Sequence, residues 1–120
     1  MKIFKNKVDN FFKWVKGTEL VELKDIDVSE DPVRPELDLN WRLSNDRKIY
    51  GLKYKDDVEA IVCVAYTNEV PTTVKELDYM SQVACRQNKS GTVAVAYTVW
   101  SRKRGAGKKI INKLLEFIKE

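Results

Sequence analysis

The run Val58 to Thr67, VEAIVCVAYT, constrains this chain more than any other stretch, because it is nearly all apolar and rich in β-branched residues. A strand of that composition is buried on both faces, so it belongs in the middle of a sheet with helices packed against it. Arg47 to Tyr54 precedes it across Lys55-Asp56-Asp57, the spacing of an antiparallel hairpin. Thr92 to Trp100, TVAVAYTVW, is a further buried strand by the same criterion. Thr18 to Val28 alternates polar and apolar residues in the manner of a half-buried strand. These runs predict a single domain, residues 1–120, of mixed α/β (α+β) class with a largely antiparallel sheet flanked by helices.

Helical periodicity appears in three places. Phe4, Val8, Phe11 and Val15, with Ile3 and Phe12, predict a helix over residues 2–16 that Gly17 stops, an N-terminal helical extension over 1–17. Val74, Leu77, Met80 or Ser81, and Ala84 suit a helix between Val74 and Arg86, the favoured reading, with a strand over Met80 to Arg86 turning back through Asn88 and Gly91 as the alternative. Ile110, Ile111, Leu114, Leu115 and Ile118 form the apolar stripe of a C-terminal helix. Between the first strand and the hairpin, SEDPVRPELDLNWRLSN is too polar for a long helix, though Pro35 suits the first turn of a short one through Trp41. Trp41 reads as a core anchor.

Residue content excludes several chemistries. There is no histidine, which removes Ser-His-Asp and Cys-His nucleophile activation and most transition-metal sites. Cys63 and Cys85 sit in apolar stretches without CxxC spacing, so they read as buried thiols, and no metal site is expected. The longest apolar run, Ala60 to Tyr66, is far short of the roughly 18 residues of a membrane-spanning helix, and no leader pattern opens the chain, so a cytoplasmic protein without membrane association is expected.

Charge is unevenly placed. Residues 1–100 carry 15 Lys+Arg against 16 Asp+Glu, whereas residues 101–120 carry 7 against 2. A nucleic-acid surface would spread its basic residues over a face. Clustering beside two glycines points to a local anion site instead.

That cluster, SRKRGAGKK, follows the last strand at once and opens the C-terminal helix, so residues 92–120 form a strand-turn-helix unit. A helix beginning near Arg104 presents unpaired N–H groups and a positive dipole end. Gly105 and Gly107 allow close approach of the main chain to a phosphate, Ala106 adds little bulk, and Arg102, Lys103, Arg104 and Lys108 supply charge. The P-loop is set aside because Arg102 stands where its first glycine belongs and Lys109 where Ser or Thr belongs. The dinucleotide fingerprint is set aside because Ile110 stands at its third glycine.

Arg102-Lys103-Arg104-Gly105-Ala106-Gly107 does match Arg-x-x-Gly-x-Gly, and in this setting it resembles the acetyl-CoA motif of the GNAT superfamily of N-acetyltransferases. The order strand, loop, hairpin, strand, turn, helix follows that family over residues 18–120. The resemblance implies acetyl-CoA as cosubstrate. It implies pantetheine contacts at Tyr97, Thr98 and Val99, and a pyrophosphate held by Arg102, Lys103, Arg104, Gly105, Ala106, Gly107 and Lys108. An oxyanion site is implied near Thr98 to Trp100, and the reaction is transfer of an acetyl group to an amine acceptor, a small molecule or a protein lysine or N-terminus. Such transfer needs a base, for which Glu69 is the first candidate and Glu76 or Asp78 the next, and a proton donor to the thiolate, for which Tyr97 is the candidate.

GNAT domains continue beyond this helix with a further strand and helix, whereas here the sequence ends 13 residues after Gly107. The usual C-terminal strands are therefore expected to be lacking. The N-terminal extension, a second copy in a homodimer, or another protein is expected to cover the sheet edge beside Thr92 to Trp100. A noncatalytic module that holds acyl-CoA or docks on a partner is the alternative reading.

Overall fold

A computed structural model describes residues 2–4, 18–83 and 93–118. Its strands are β1 (Lys2–Phe4), β2 (Thr18–Leu23), β3 (Arg47–Tyr54), β4 (Asp57–Thr67) and β5 (Val93–Ser101); its helices are α1 (Leu39–Leu43), α2 (Val74–Val83) and α3 (Ala106–Ile118). The strands form one sheet in the order β1-β5-β4-β3-β2, with every neighbouring pair antiparallel. Helices flank it on both faces, as the composition of Val58 to Thr67 requires.

β4 lies at the centre. Ala60, Val62 and Val64 point into a core closed by Ala106, Ile110, Ile111 and Leu114 of α3. Ile61, Cys63 and Ala65 point into a second core closed by Leu77 of α2, by Leu39, Trp41 and Leu43 of α1, and by Leu37 of the loop before it. All six of these β4 side chains are at most 1% exposed. Burying each larger one stabilises the fold by about 1.5–3 kcal/mol, which is why this strand cannot sit at an edge.

Helix boundaries follow from side-chain caps. Asp38 accepts a hydrogen bond from the Trp41 N–H at 2.8 Å, so α1 begins at Leu39 rather than at Pro35, which stays in the preceding turn. Thr73 accepts from the Glu76 N–H at 3.0 Å while the Glu76 carboxylate takes the Thr72 hydroxyl at 2.6 Å, a reciprocal cap that starts α2. α2 ends at Val83, and the expected continuation to Arg86 lies outside the described residues.

The N-terminal expectation needs correction. Lys2–Phe4 is a strand, with Lys2 opposite Ala96, Ile3 opposite Val95 and Phe4 opposite Ala94. Apolar spacing at these positions is compatible with a helix, but β5 offers an unpaired row of backbone donors and acceptors, and pairing with it satisfies both strands. The N-terminal segment therefore covers that edge as a strand, and only over part of its length. The remainder of the expected helix, residues 5–17, lies outside the described residues, as do Cys85 and Thr92.

Candidate functional site

β5 delivers the chain into the glycine turn. Arg102 and Lys103 continue the ladder, their N–H groups donating to the Glu59 carbonyl at 2.8 and 3.3 Å. Gly105 then adopts φ of 81°, in the left-handed region where a side chain is strained, and the Ala106 N–H donates to the Lys103 carbonyl at 3.1 Å to close the turn. That bond explains why α3 begins at Ala106, two residues later than the charge cluster suggests. The N–H groups of Gly105, Gly107 and Lys108 have no acceptor among the described residues and open at the positive end of α3.

Four basic side chains at this turn behave differently. Arg102 grips Glu30 with two hydrogen bonds, Nε to Oε1 at 2.9 Å and the second guanidinium nitrogen to Oε2 at 2.7 Å. The Arg102 guanidinium holds the Glu30 carboxyl below its ordinary value. Lys103 pairs with Glu59 at 3.1 Å, which raises the ammonium above its ordinary value. Arg104 and Lys108 are exposed and form no ion pair among the described residues. They are the cations left to meet an anion at the turn.

Gly107 is informative through what surrounds it. A Cβ there would lie 3.7 Å from Ser101 Cβ and 3.8 Å from Ser101 Oγ, ordinary contact distances. Packing within the chain therefore does not require glycine at this first-turn position, where alanine is the better helix former.

Upstream, β5 carries a bulge. Cys63 of β4 stands opposite Thr98 and Val64 stands opposite Ala96, so Tyr97 is the extra residue. β1 reaches only to Ala96, and from Tyr97 to Ser101 the side of β5 away from β4 has no strand beside it among the described residues. A free edge of five residues thus runs from the bulge to the glycine turn.

Beneath this edge lies a polar network that the sequence did not single out. Asp31 and Arg42, both with fully buried side chains, pair at 2.8 Å. Asp31 Oδ1 also accepts from the Thr98 hydroxyl at 2.9 Å and from the Val33 and Arg34 N–H groups at 2.8 and 3.2 Å. Burial pushes the Asp31 carboxyl up, but these donors outweigh it and hold it below its ordinary value. Arg42 further donates to the Leu37 and Arg34 carbonyls at 2.9 and 2.8 Å and to Cys63 Sγ at 3.6 Å. Burial pushes the Cys63 thiol up to about 11, against the opposing pull of Arg42.

The acidic loop before the hairpin has its carboxylates occupied. Glu30 holds Arg102, Asp31 holds Arg42, Glu36 pairs with Arg34 at 3.3 Å, and Asp38 caps α1. The loop is thus an internal clasp between the second core and the glycine turn.

The expected catalytic residues are scattered. Tyr97 packs edge-to-face on Trp41 at 5.7 Å between ring centres, and its buried hydroxyl meets no hydrogen-bond partner of good geometry among the described residues. Burial pushes that hydroxyl well above its ordinary value, so it stays protonated. Glu69 is exposed just past the end of β4, where Thr67 stands opposite Val93. The glycine turn follows Ser101 at the other end of β5, on the order of 27 Å away at about 3.4 Å per strand residue. Glu76 is spent on the α2 cap. Asp78 takes two hydrogen bonds from Arg34, at 3.1 and 3.0 Å, and Arg34 in turn lies 5.9 Å from the Tyr97 ring centre. Of the three carboxylates, Asp78 alone is linked to Tyr97.

Comparison with known proteins leaves the chain to be read from its own geometry: no protein-family description, no curated protein and no solved structure matches it. Among the described residues no group of three or more Cys, Asp or Glu is placed to hold a metal ion, and no helix is long and apolar enough to cross a membrane.

The structure joins Tyr97, Thr98 and Val99 to residues 102–108 as one continuous feature, a strand edge with no strand beside it among the described residues, ending in a turn whose amides have no acceptor among them. Chemically, such a feature can pair with a ligand's amide groups along the edge and hold an anion at the turn. Sequence reasoning missed the pairing of Asp31 with Arg42 because the first lies in a polar, proline-containing segment and the second in the short helix α1 that follows it. The one available signal was the hydroxyl of Thr98 inside an otherwise apolar strand, which needs a buried partner.

Proposed function

We propose that this chain binds acetyl-CoA along the outer edge of β5 and transfers its acetyl group to an amine, as a GNAT-type N-acetyltransferase. The observation that carries the reading is the bulge at Tyr97, from which an edge of β5 with no strand beside it among the described residues runs straight into the glycine turn. Backbone groups from Tyr97 to Ser101 would pair with the amides of the pantetheine arm. The N–H groups of Gly105, Gly107 and Lys108 would receive the pyrophosphate, with Arg104 and Lys108 neutralising its charge. Bound acetyl-CoA supplies an activated thioester: the amine nitrogen forms a bond to the acetyl carbon, the carbon–sulfur bond breaks, and the departing thiolate takes up the equivalent of the proton that the amine loses, leaving as the free thiol. N–H groups of the distorted stretch Thr98 to Trp100 would stabilise the oxyanion. The amine must lose a proton on the way, for which Glu69, exposed and without an ion pair among the described residues, and Asp78, held by Arg34, are the candidate bases. A cytoplasmic setting fits a chain with a buried, unpaired Cys63 thiol.

A second reading, a noncatalytic module that holds acyl-CoA or docks a partner on the same edge, is favoured by one observation. The Tyr97 hydroxyl faces the α1–α2 core and Asp78 is already gripped by Arg34, so no acid–base pair stands free beside the edge.

Calorimetric titration with acetyl-CoA tests the binding. Saturable binding to the native chain, weakened at least tenfold in a folded Gly107→Leu variant, supports the site; no binding, or equal binding by the variant, removes it. Acetyl transfer across a panel of amines then separates the enzyme from the module.

A further inference from the structure

β5 changes phase at its bulge. Val93, Val95 and Tyr97 face the α1–α2 layer while Ala94 and Ala96 face α3, as alternation demands. Thr98 then reaches Asp31 on the same side as Tyr97, Val99 turns to α3, and Trp100 returns to the α1–α2 layer. Without the bulge the last three would exchange faces. Thr98 would enter a core built of Ala96, Ala106, Ile110 and Leu114, where its hydroxyl would find no carboxylate.

Asp31 is held mainly by groups outside β5. Arg42 holds Oδ2, and the Val33 and Arg34 N–H groups hold Oδ1, so three hydrogen bonds place the carboxylate independently of β5. Its remaining acceptor capacity meets the Thr98 hydroxyl at 2.9 Å, with both residues buried. The acceptor is preformed and sits on one face only, so it rewards one register of the strand and not the other.

We infer that Asp31 is a positioning residue: its carboxylate captures the Thr98 hydroxyl, fixes the bulge at Tyr97, and so sets the free edge of β5 on which the ligand lies. The ligand part of this inference rests on the acetyl-CoA reading proposed above; the register part does not. Trp100 adds an apolar preference for the same register, but only the hydroxyl is tested by an isosteric exchange.

Thr98→Val removes the hydroxyl at constant shape, and Thr98→Ser keeps it. Two readouts are taken on the full chain: the cross-strand NOE pattern of β4 and β5, and acetyl-CoA affinity by calorimetry. In the native chain Cys63 contacts Thr98 across the ladder and Val64 contacts Ala96. Thr98→Val is expected to weaken or replace those contacts and to bind acetyl-CoA at least fivefold more weakly. Thr98→Ser is expected to keep the native NOE pattern. Native contacts and native affinity in Thr98→Val overturn the inference, and so does loss of the pattern in Thr98→Ser, which would assign the register to packing. If Thr98→Val does not fold, Thr98→Ala takes its place with the same expected outcomes. A native chain that fails to bind acetyl-CoA sinks the functional reading alone, because the NOE comparison still decides the role of Asp31.

Discussion

The hydroxyl of Thr98 donates to Oδ1 of Asp31 at 2.9 Å, joining residues 67 positions apart. It connects a loop that looks solvated in the sequence to a strand that looks uniformly apolar. Through Arg42 on the other carboxylate oxygen, the same contact locks that loop against β4 at Cys63. The free edge of β5 and the turn that follows are thereby held from beneath.

Removing the countercharge should be severe. Arg42→Met leaves the Asp31 carboxylate buried without its cation, and breaking such a pair costs about 3–5 kcal/mol. By contrast, Glu30→Gln disrupts a partly exposed pair and should cost no more than about 1 kcal/mol. Urea unfolding of both variants checks the contrast, and equal midpoints would contradict the account of the buried network.

The two glycines of the turn should respond in opposite directions. Gly105→Ala places a side chain at φ of 81° and should destabilise by about 1–2 kcal/mol. Gly107→Ala meets only ordinary contacts and should be neutral or stabilise by up to about 1 kcal/mol. Thermal denaturation measures both. A marked loss of stability in Gly107→Ala would mean that the fold, rather than a ligand, requires glycine there.

Acid should unfold the chain from just below the ordinary carboxylate range. Asp31 is depressed in the folded state, so its contribution is present above the unfolded value, near 3.9 for aspartate, and is lost as pH falls through the lower folded value. The melting temperature is therefore expected to be nearly flat from pH 7 to about 5 and to fall below about pH 4. Circular dichroism melts in that window should show a shallower fall for Asp31→Asn, which has no proton to gain.

Cys63 should be inert while the chain is folded. Its thiol is raised to about 11 by burial, whereas an unfolded cysteine titrates near 8.5. A disulfide reagent at pH 8 should label Cys63 of a Cys85→Ser variant only after unfolding. Because the folded value is raised, this group's contribution is complete below the unfolded value and is lost as pH rises towards 11. Rapid native-state labelling would show that the second core is open at Cys63.

Much of the architecture was legible because local chemistry and tertiary demand agree. VEAIVCVAYT is a central strand, Lys55-Asp56 turns the hairpin with Asp57 already paired to Tyr54, one residue shorter than the expected turn, and the stripe from Ile110 to Ile118 lies on the sheet. The glycine turn was legible for a similar reason: a left-handed residue at Gly105 and a helix start leave amides open whatever surrounds them.

Other features depend on partners far along the chain. Lys2–Phe4 becomes a strand only because β5 has an edge to offer. The bulge at Tyr97 leaves no mark in a run of apolar residues; it exists because Thr98 and Trp100 find their partners on the same face as Tyr97. Arg102 looks like a phosphate ligand until Glu30 is folded against it. By itself the sequence determined the central strands, the hairpin, the C-terminal helix and the glycine turn that opens it, since these follow from periodicity and backbone chemistry. Tertiary structure alone decided which buried charges pair and where, among the described residues, β5 has no strand beside it, because a hydrogen bond or an ion pair is set by distance in space and not by separation along the chain.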